Sequence, residues 1–266
     1  MRPSLIHPCR DLSAWSAALT AALALLITMP LGSTAAAETG RIAVAGSMRY
    51  TMEALLERFH EEQQEHRLEA SYASSGKLRA QIENGAPFDL FFSADMARPE
   101  ALVRAGHAAS EVRHYASGSL VLWTREGTKR LHLDELADEE IRRIAIAHPD
   151  HAPYGARAID ALESAGLLAA VEDRLVTGNT VNRALQQAQS GAAEVALISL
   201  SLAVHPEVDE QGQYTRIDPE QYESVKHGYI LTRHGAENEA AARFAEFITS
   251  APAQEILRDN GFQPPN

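Results

Sequence analysis

Four places along this chain put hydrogen-bond donors where an anion can be held without help from a positive side chain. The clearest is Ser74-Ser75-Gly76, which follows RLEASYAS and precedes KLRAQIEN. Leu68, Ala70 and Tyr72 alternate at the period of a strand, and Leu78 and Ile82 share one face at helical spacing. Two hydroxyls therefore stand at a strand end and a helix start. A helix start carries backbone N–H groups without acceptors and the positive end of the helix dipole, which suits an oxyanion. The same plan occurs earlier, where RIAVAG is a short strand, Ser47 follows, and Met48, Met52, Leu55, Leu56 and Phe59 recur at helical spacing. It occurs twice more in the middle. RRIAIAHP leads through His151-Ala152-Pro153-Tyr154-Gly155 into a helix with Ala158, Ile159, Leu162 and Ala165 inward. RLVTG leads through Asn179 or Thr180 into a helix with Val181, Ala184 and Leu185 on its buried side.

Each of these residues also has a plain structural reading. Ser47 and Ser75 are good helix N-caps, Val181 alone is a core residue, and Lys77 is a solvated helix-face charge. Two other chemistries can be weighed. Ser74 to Lys77 fits S-x-x-K, in which the lysine activates Ser74 as an acylated nucleophile, but the chain has no K-T-G, S-D-N or G-x-S-x-G element. His148 and His151 lie three apart beside Asp150, yet the sequence places no further close ligand there, so no metal centre is expected.

The elements that position these groups alternate strand and helix, which reads as α/β. Asn84-Gly85 stops the helix after Ser75, because both residues tolerate the left-handed conformation of a helix end, and DLFFSAD is a buried strand. Pro99 to Ala105 is a short helix stopped by Gly106. SGSLVLWTRE is an apolar strand read as the first crossing between two domains, LDELADEEI a helix, VALISLSLAV a buried strand, and SVKHGYILT the crossing back. Helices over Glu237–Thr249 and Ala253–Asp259 close the chain, with Pro252 starting the second. The expectation is two domains, 38–119 with 228–266 and 120–227, each a mixed sheet flanked by helices. Two crossover strands form the hinge, and four helix N-termini, two from each half, converge on one point.

The chain has 266 residues and is 45% hydrophobic with dispersed charge, so it is globular. Arg2 and Arg10 flank the approach to an apolar run, Ala14 to Leu31, and Ala35-Ala36-Ala37 offers a cleavage site before Glu38, the layout of a signal peptide over residues 1–37. Cys9, the single cysteine, precedes that run, so the exported chain is expected to lack disulfides and a lipid anchor and to be periplasmic. Removing residues 1–37 takes away Arg2, Arg10 and Asp11 and leaves 22 basic against 35 acidic residues, a net charge of −13. That balance argues against nucleic acid or an anionic membrane as a partner. An anion is still compatible, since N–H and O–H dipoles hold a buried oxyanion without a neighbouring cation.

The run ASSGKLRAQIENGAPFDLFFSAD resembles the signature of the bacterial periplasmic molybdate-binding proteins, the capture components of molybdate ABC transporters. AGSMRYTMEALLERF, HPDHAPYGARAIDAL, TGNTVNRALQQAQSGAAEVALISLS and APAQEILRDNGF extend the resemblance along nearly the whole exported chain. It implies a two-domain periplasmic-binding-protein fold of type II. It implies oxyanion contacts from Ser47 and Ser75 through hydroxyl and N–H, and from Tyr154 and Val181 through N–H. Some relatives use a tyrosine hydroxyl where this chain has Ser199, with Ser201 two further on, so Ser199 is the expected fifth contact. Molybdenum would be held only as molybdate by these residues, with no cofactor.

A receptor for sulfate, phosphate or ferric ion is the rival within binding proteins. Ferric sites cluster tyrosines and carboxylates, and the tyrosines here are scattered. Phosphate carries a proton near neutral pH and calls for a buried acceptor, whereas molybdate and sulfate suit an all-donor site. The sequence thus points to a monomeric receptor for molybdate, and for the nearly isosteric tungstate. It would perform no reaction and would deliver its ligand to an inner-membrane ABC permease.

Overall fold

The computed structural model describes residues 38–265. The signal-peptide reading of residues 1–37, including Cys9, lies outside the described residues. Two five-stranded sheets carry the fold. The first holds β1 (Glu38–Ala45), β2 (His66–Ala73), β3 (Leu90–Ser93), β4 (Arg113–Gly118) and β10 (Val225–Leu231), in the order β2-β1-β3-β10-β4. The second holds β5 (Leu120–Arg125), β6 (Ile144–Ala147), β7 (Leu175–Gly178), β8 (Val195–Ser199) and β9 (Gly212–Arg216), in the order β7-β6-β8-β5-β9. Each sheet has three parallel strands followed by a strand that runs antiparallel to its neighbours, so the two halves share one plan.

Alternation along β1 explains how the first sheet is covered on both faces. Ile42 and Val44 face a core that holds Met52, Leu55 and Phe59 of α1 (Arg49–Glu62) and Phe244 and Phe247 of α6 (Glu239–Phe247). Ala43 faces the other side, against Leu78 and Ile82 of α2 (Ser75–Glu83) and Leu102 of α3 (Ala97–Arg104). The Phe59 ring meets Phe244 edge-on at 5.1 Å, and each such buried side chain contributes about 1.5–3 kcal/mol through lost water contact. The second sheet packs Trp123, Ile146 and Leu197 with Ala158 and Leu162 of α4 (Pro153–Ser164) and Leu185 of α5 (Val181–Gln189). The chain ends on α7 (Ala251–Asp259), begun by Ser250, whose hydroxyl accepts from the Ala253 N–H.

Three elements differ from the sequence expectation, and one observed strand was not expected. LDELADEEI yields only a 3-10 turn, Leu133–Ala137, because Asp138 takes the Glu140 N–H on its carboxylate at 2.9 Å and stops the helix. VALISLSLAV leaves the sheet at Ser199 and becomes a one-turn helix, Leu200–Ala203, with the Leu200 N–H bonded to the Ser119 carbonyl at 2.8 Å. SGSLVLWTRE does carry the chain from the first sheet to the second, as β4 ends at Gly118 and β5 starts at Leu120. SVKHGYILT is not itself the return passage. Val225 already pairs with Gly118, so Val225, Lys226 and His227 belong to the first sheet and the chain returns through residues 217–224. Strand β9, GQYTR, was absent from the sequence expectation because it lacks an apolar alternation; its place at the sheet edge lets it do without one.

Candidate functional site

Four chain turns meet around one small cavity of about 10 Å³. Residues 45–47 come from the end of β1 and the 3-10 turn Gly46–Met48 that leads into α1. Ser74 and Ser75 come from the start of α2, Ala152 to Tyr154 from the start of α4, and Thr180 and Val181 from the start of α5. Ala94, just past β3, completes the lining. Three of the contributing strands end here at their carboxyl ends in the first sheet, and two in the second, so both halves supply walls.

The chemistry of the lining is that of donors. The N–H groups of Ser47, Ser75, Tyr154 and Val181 stand in the first turn of their helices, where no carbonyl of the same helix can accept them. None of the four bonds elsewhere among the described residues. Ser47 is 2% exposed, and its hydroxyl is buried without a hydrogen-bond partner among the described residues. The Ser75 hydroxyl accepts from the Ala94 N–H at 3.1 Å, so its own proton remains to be donated. Thr180 Oγ1 accepts from the Arg183 N–H at 3.2 Å and is in the same position. Tyr154 is the one lining residue with an ionisable side chain, and burial pushes its phenol far above the ordinary value, so it stays protonated. Its oxygen turns to His227 Nε2 at 3.3 Å.

Ser47, Ser75, Tyr154 and Val181 are thus brought together. Ser199 is fully buried but does not line the cavity. Its hydroxyl lies 3.0 Å from Ser201 Oγ, and Ser201 donates its single proton to the Ser47 carbonyl at 2.7 Å, so Ser199 must donate to Ser201. Ser199 therefore stands one hydrogen bond behind Ser201 and two behind Ser47. Ala94 was missed at the sequence level. The signal was present, because FFSAD ends a third strand at the same sheet edge as the strands before Ser47 and Ser75.

The other chemistries are differently placed. Ser74 is buried at the cavity while Lys77 is exposed, and no hydrogen bond joins them among the described residues. The His148 and His151 rings stack at 4.7 Å, and no group of three or more metal-ligating side chains occurs among the described residues. A wider hollow of about 520 Å³ beside Thr124 carries Asp134, Glu135, Asp138, Glu140 and Glu194 against Arg125 and Lys129, a balance that disfavours an anion.

Contacts across the cavity rim join the halves. The Gly76 N–H donates to the His151 carbonyl at 2.9 Å, and Arg98, paired with Asp95, donates to the Asp150 carbonyl at 2.8 Å. Outside the cavity lining, the Tyr50 and His205 rings stack at 3.7 Å.

Known proteins match along most of the chain. The Bacterial extracellular solute-binding protein family matches residues 41–263. The molybdate-binding protein of Rhodobacter capsulatus is 32% identical over 243 residues, 91% of this chain and 94% of that protein. The structure of the periplasmic molybdate-binding protein of Azotobacter vinelandii superposes with a TM-score of 0.80 at 32% identity, covering 85% of this chain and all of that one. A sulfate-binding protein of Mycobacterium tuberculosis shares the fold at a TM-score of 0.71 and 17% identity, covering 85% of this chain and 87% of that one. The cavity at the strand ends, the repeated sheet plan and these matches agree: the chain belongs to the bacterial extracellular solute-binding protein family.

Proposed function

We propose that this protein captures molybdate in the cavity between its two halves and delivers it to an inner-membrane ABC permease. The observation that carries the reading is the buried, unpartnered Ser47 hydroxyl at the meeting point of four helix starts, in a lining without a charged side chain. An all-donor pocket stabilises an unprotonated oxyanion by dipoles alone and offers no acceptor to the proton of phosphate. Two relatives at 32% identity are molybdate-binding proteins by their names.

In this reading Ser47 and Ser75 donate through hydroxyl and N–H, and Tyr154 and Val181 through N–H. Ser199 acts through Ser201 and the Ser47 peptide and does not touch the ligand. Residues 38–119 with the C-terminal segment form one domain around the first sheet, and the segment from 120 forms the other around the second. The ligand favours closure only through its higher affinity for the closed form. Tungstate, nearly isosteric, binds the same donors. The protein works in the periplasm after loss of residues 1–37, as a monomer, without cofactor and without catalysing a reaction.

Thermal unfolding of the purified protein with molybdate, tungstate, sulfate and phosphate in turn tests this. Ligand at about a hundred times its dissociation constant adds about 2.7 kcal/mol of stability. A raised Tm with molybdate and tungstate alone supports the reading. A shift with sulfate or phosphate instead reassigns the substrate, and no shift with any of them overturns it.

A further inference from the structure

His227 is a fully buried imidazole that the capture reading leaves without a role. It lies on β10 at a break in register between His227 and Gly228, where the ladder to β4 shifts by one residue. Its Nε2 lies 3.3 Å from the Tyr154 phenol oxygen and its Nδ1 lies 3.4 Å from the Tyr115 phenol oxygen. Tyr115 belongs to β4 of the first sheet and Tyr154 to α4 on the second, so the pair of contacts spans the joint between them. A neutral imidazole offers one donor and one acceptor nitrogen, and each phenol can do either, so both tautomers satisfy this chain. The remaining neighbours are Phe262, edge-on at 5.1 Å, and His114 on β4, whose charge would oppose one on His227. Gly118 ends β4 at the first passage between sheets, and a Cβ there would collide with the Tyr154 oxygen. The passage is thus built around a phenol that the opposite half sends into it. Filling space alone would need only a phenylalanine at 154 and an apolar residue at 227.

Tyr154 therefore has two ends with separate surroundings. Its N–H lies at the cavity and its hydroxyl lies in the joint. We propose that His227 is a positioning residue for the cavity: by holding the Tyr154 hydroxyl in the joint, it fixes the start of α4 and the direction of the Tyr154 N–H. This rests on the capture reading above, and it predicts that a group remote from the ligand sets the ligand's residence time.

The test uses Tyr154→Phe, His227→Phe, the double variant and His227→Gln. Molybdate affinity and release rate are measured by calorimetry and stopped flow. Hydrogen exchange of the 152–158 peptide is followed by mass spectrometry without ligand. Tyr154→Phe keeps the N–H and the ring, so a role for packing alone leaves affinity unchanged. Positioning predicts about tenfold weaker binding in each single variant, about 1.4 kcal/mol, through faster release. It also predicts no further loss in the double variant, partial recovery with His227→Gln, and faster exchange confined to the start of α4. Unchanged affinity in Tyr154→Phe, or weaker binding with unchanged exchange at 152–158, overturns the proposal. If the wild-type protein binds none of the four oxyanions, the capture reading fails. The exchange data then decide the positioning claim alone: faster exchange at 152–158 in Tyr154→Phe supports it, and unchanged exchange refutes it.

Discussion

The Gly76 N–H donates to the His151 carbonyl at 2.9 Å, tying the first turn of α2 on one sheet to the loop ahead of α4 on the other. This bond crosses the rim of the cavity, and with the bond from Arg98 to the Asp150 carbonyl it holds the two halves together there. Residue 76 is close to its partner loop, since a Cβ at that position would lie 3.0 Å from the His151 oxygen and 3.1 Å from its Cα.

A small side chain at 76 should therefore wedge the rim open. Gly76→Ala is expected to cost about 1–3 kcal/mol of closure by overpacking, read as molybdate binding weakened by tenfold or more. Small-angle scattering with ligand present should show a larger radius of gyration than for wild type. Wild-type affinity and radius together would show that this contact does not limit closure.

The two serines should separate under the same substitution. Ser47 Oγ has no hydrogen-bond partner among the described residues, so Ser47→Ala should weaken molybdate binding by about 1–3 kcal/mol and leave urea stability nearly unchanged. Ser75 Oγ accepts the buried Ala94 N–H, and Ser75→Ala strands that donor. It should lose a similar amount of binding and also about 1–3 kcal/mol of stability. Calorimetry and urea unfolding on the two variants give the comparison. Equal stability losses would mean that the Ser47 hydroxyl has a structural partner after all.

Acid should destabilise the protein through His227. Burial holds its pKa down to about 3, with His114 adding to the effect. In the unfolded chain it takes up a proton below about 6.5. Its contribution is thus complete above that value and is lost as pH falls toward about 3, because the unfolded state then binds the extra proton. Between pH 7 and 5 this amounts to about 2 kcal/mol. Urea unfolding of wild type and His227→Gln at both pH values isolates it, since the variant lacks the titrating group and should fall by that much less. Parallel losses in the two proteins would show that His227 is accessible to protons in the native state.

The acyl-enzyme alternative gives a contrary pair of outcomes. Lys77 is exposed, so Lys77→Ala should change oxyanion affinity by less than about 0.5 kcal/mol. A labelled β-lactam should leave no adduct on Ser74. An adduct seen by mass spectrometry, lost in Lys77→Ala, would reinstate the nucleophile.

Much of the site was legible because each of its parts is a local motif. A strand end, a small polar residue and an amphipathic run can be read within about fifteen residues, and such windows mark the four helix starts; Ser47, Ser75, Tyr154 and Val181 as contacts are what the family resemblance implies. The alternation of strands and helices likewise led to mixed sheets flanked by helices, and the first sheet is covered on both faces. What stayed hidden depends on residues distant in sequence. Ser199 sits in an apolar run that reads as continuous strand, and only the bond from Leu200 to Ser119, together with the Ser201 contact to the Ser47 carbonyl 154 residues away, turns it off the cavity. The place of the return passage depends on distant residues in the same way. The apolar runs through Gly118 and His227 look like uninterrupted strands. The break after Gly118 and the register shift after His227 come from pairing between strands more than a hundred residues apart.

The central claim is that the convergent helix starts hold molybdate, and diffraction at the molybdenum edge from crystals grown with molybdate tests it most directly. The account predicts one strong anomalous peak enclosed by Ser47, Ser75, Tyr154 and Val181. Ligand oxygens should lie about 2.7–3.2 Å from their N–H and hydroxyl donors, with no cation beside them. A peak elsewhere on the protein, or crystals with molybdate in the medium and no peak in this cavity, would contradict it.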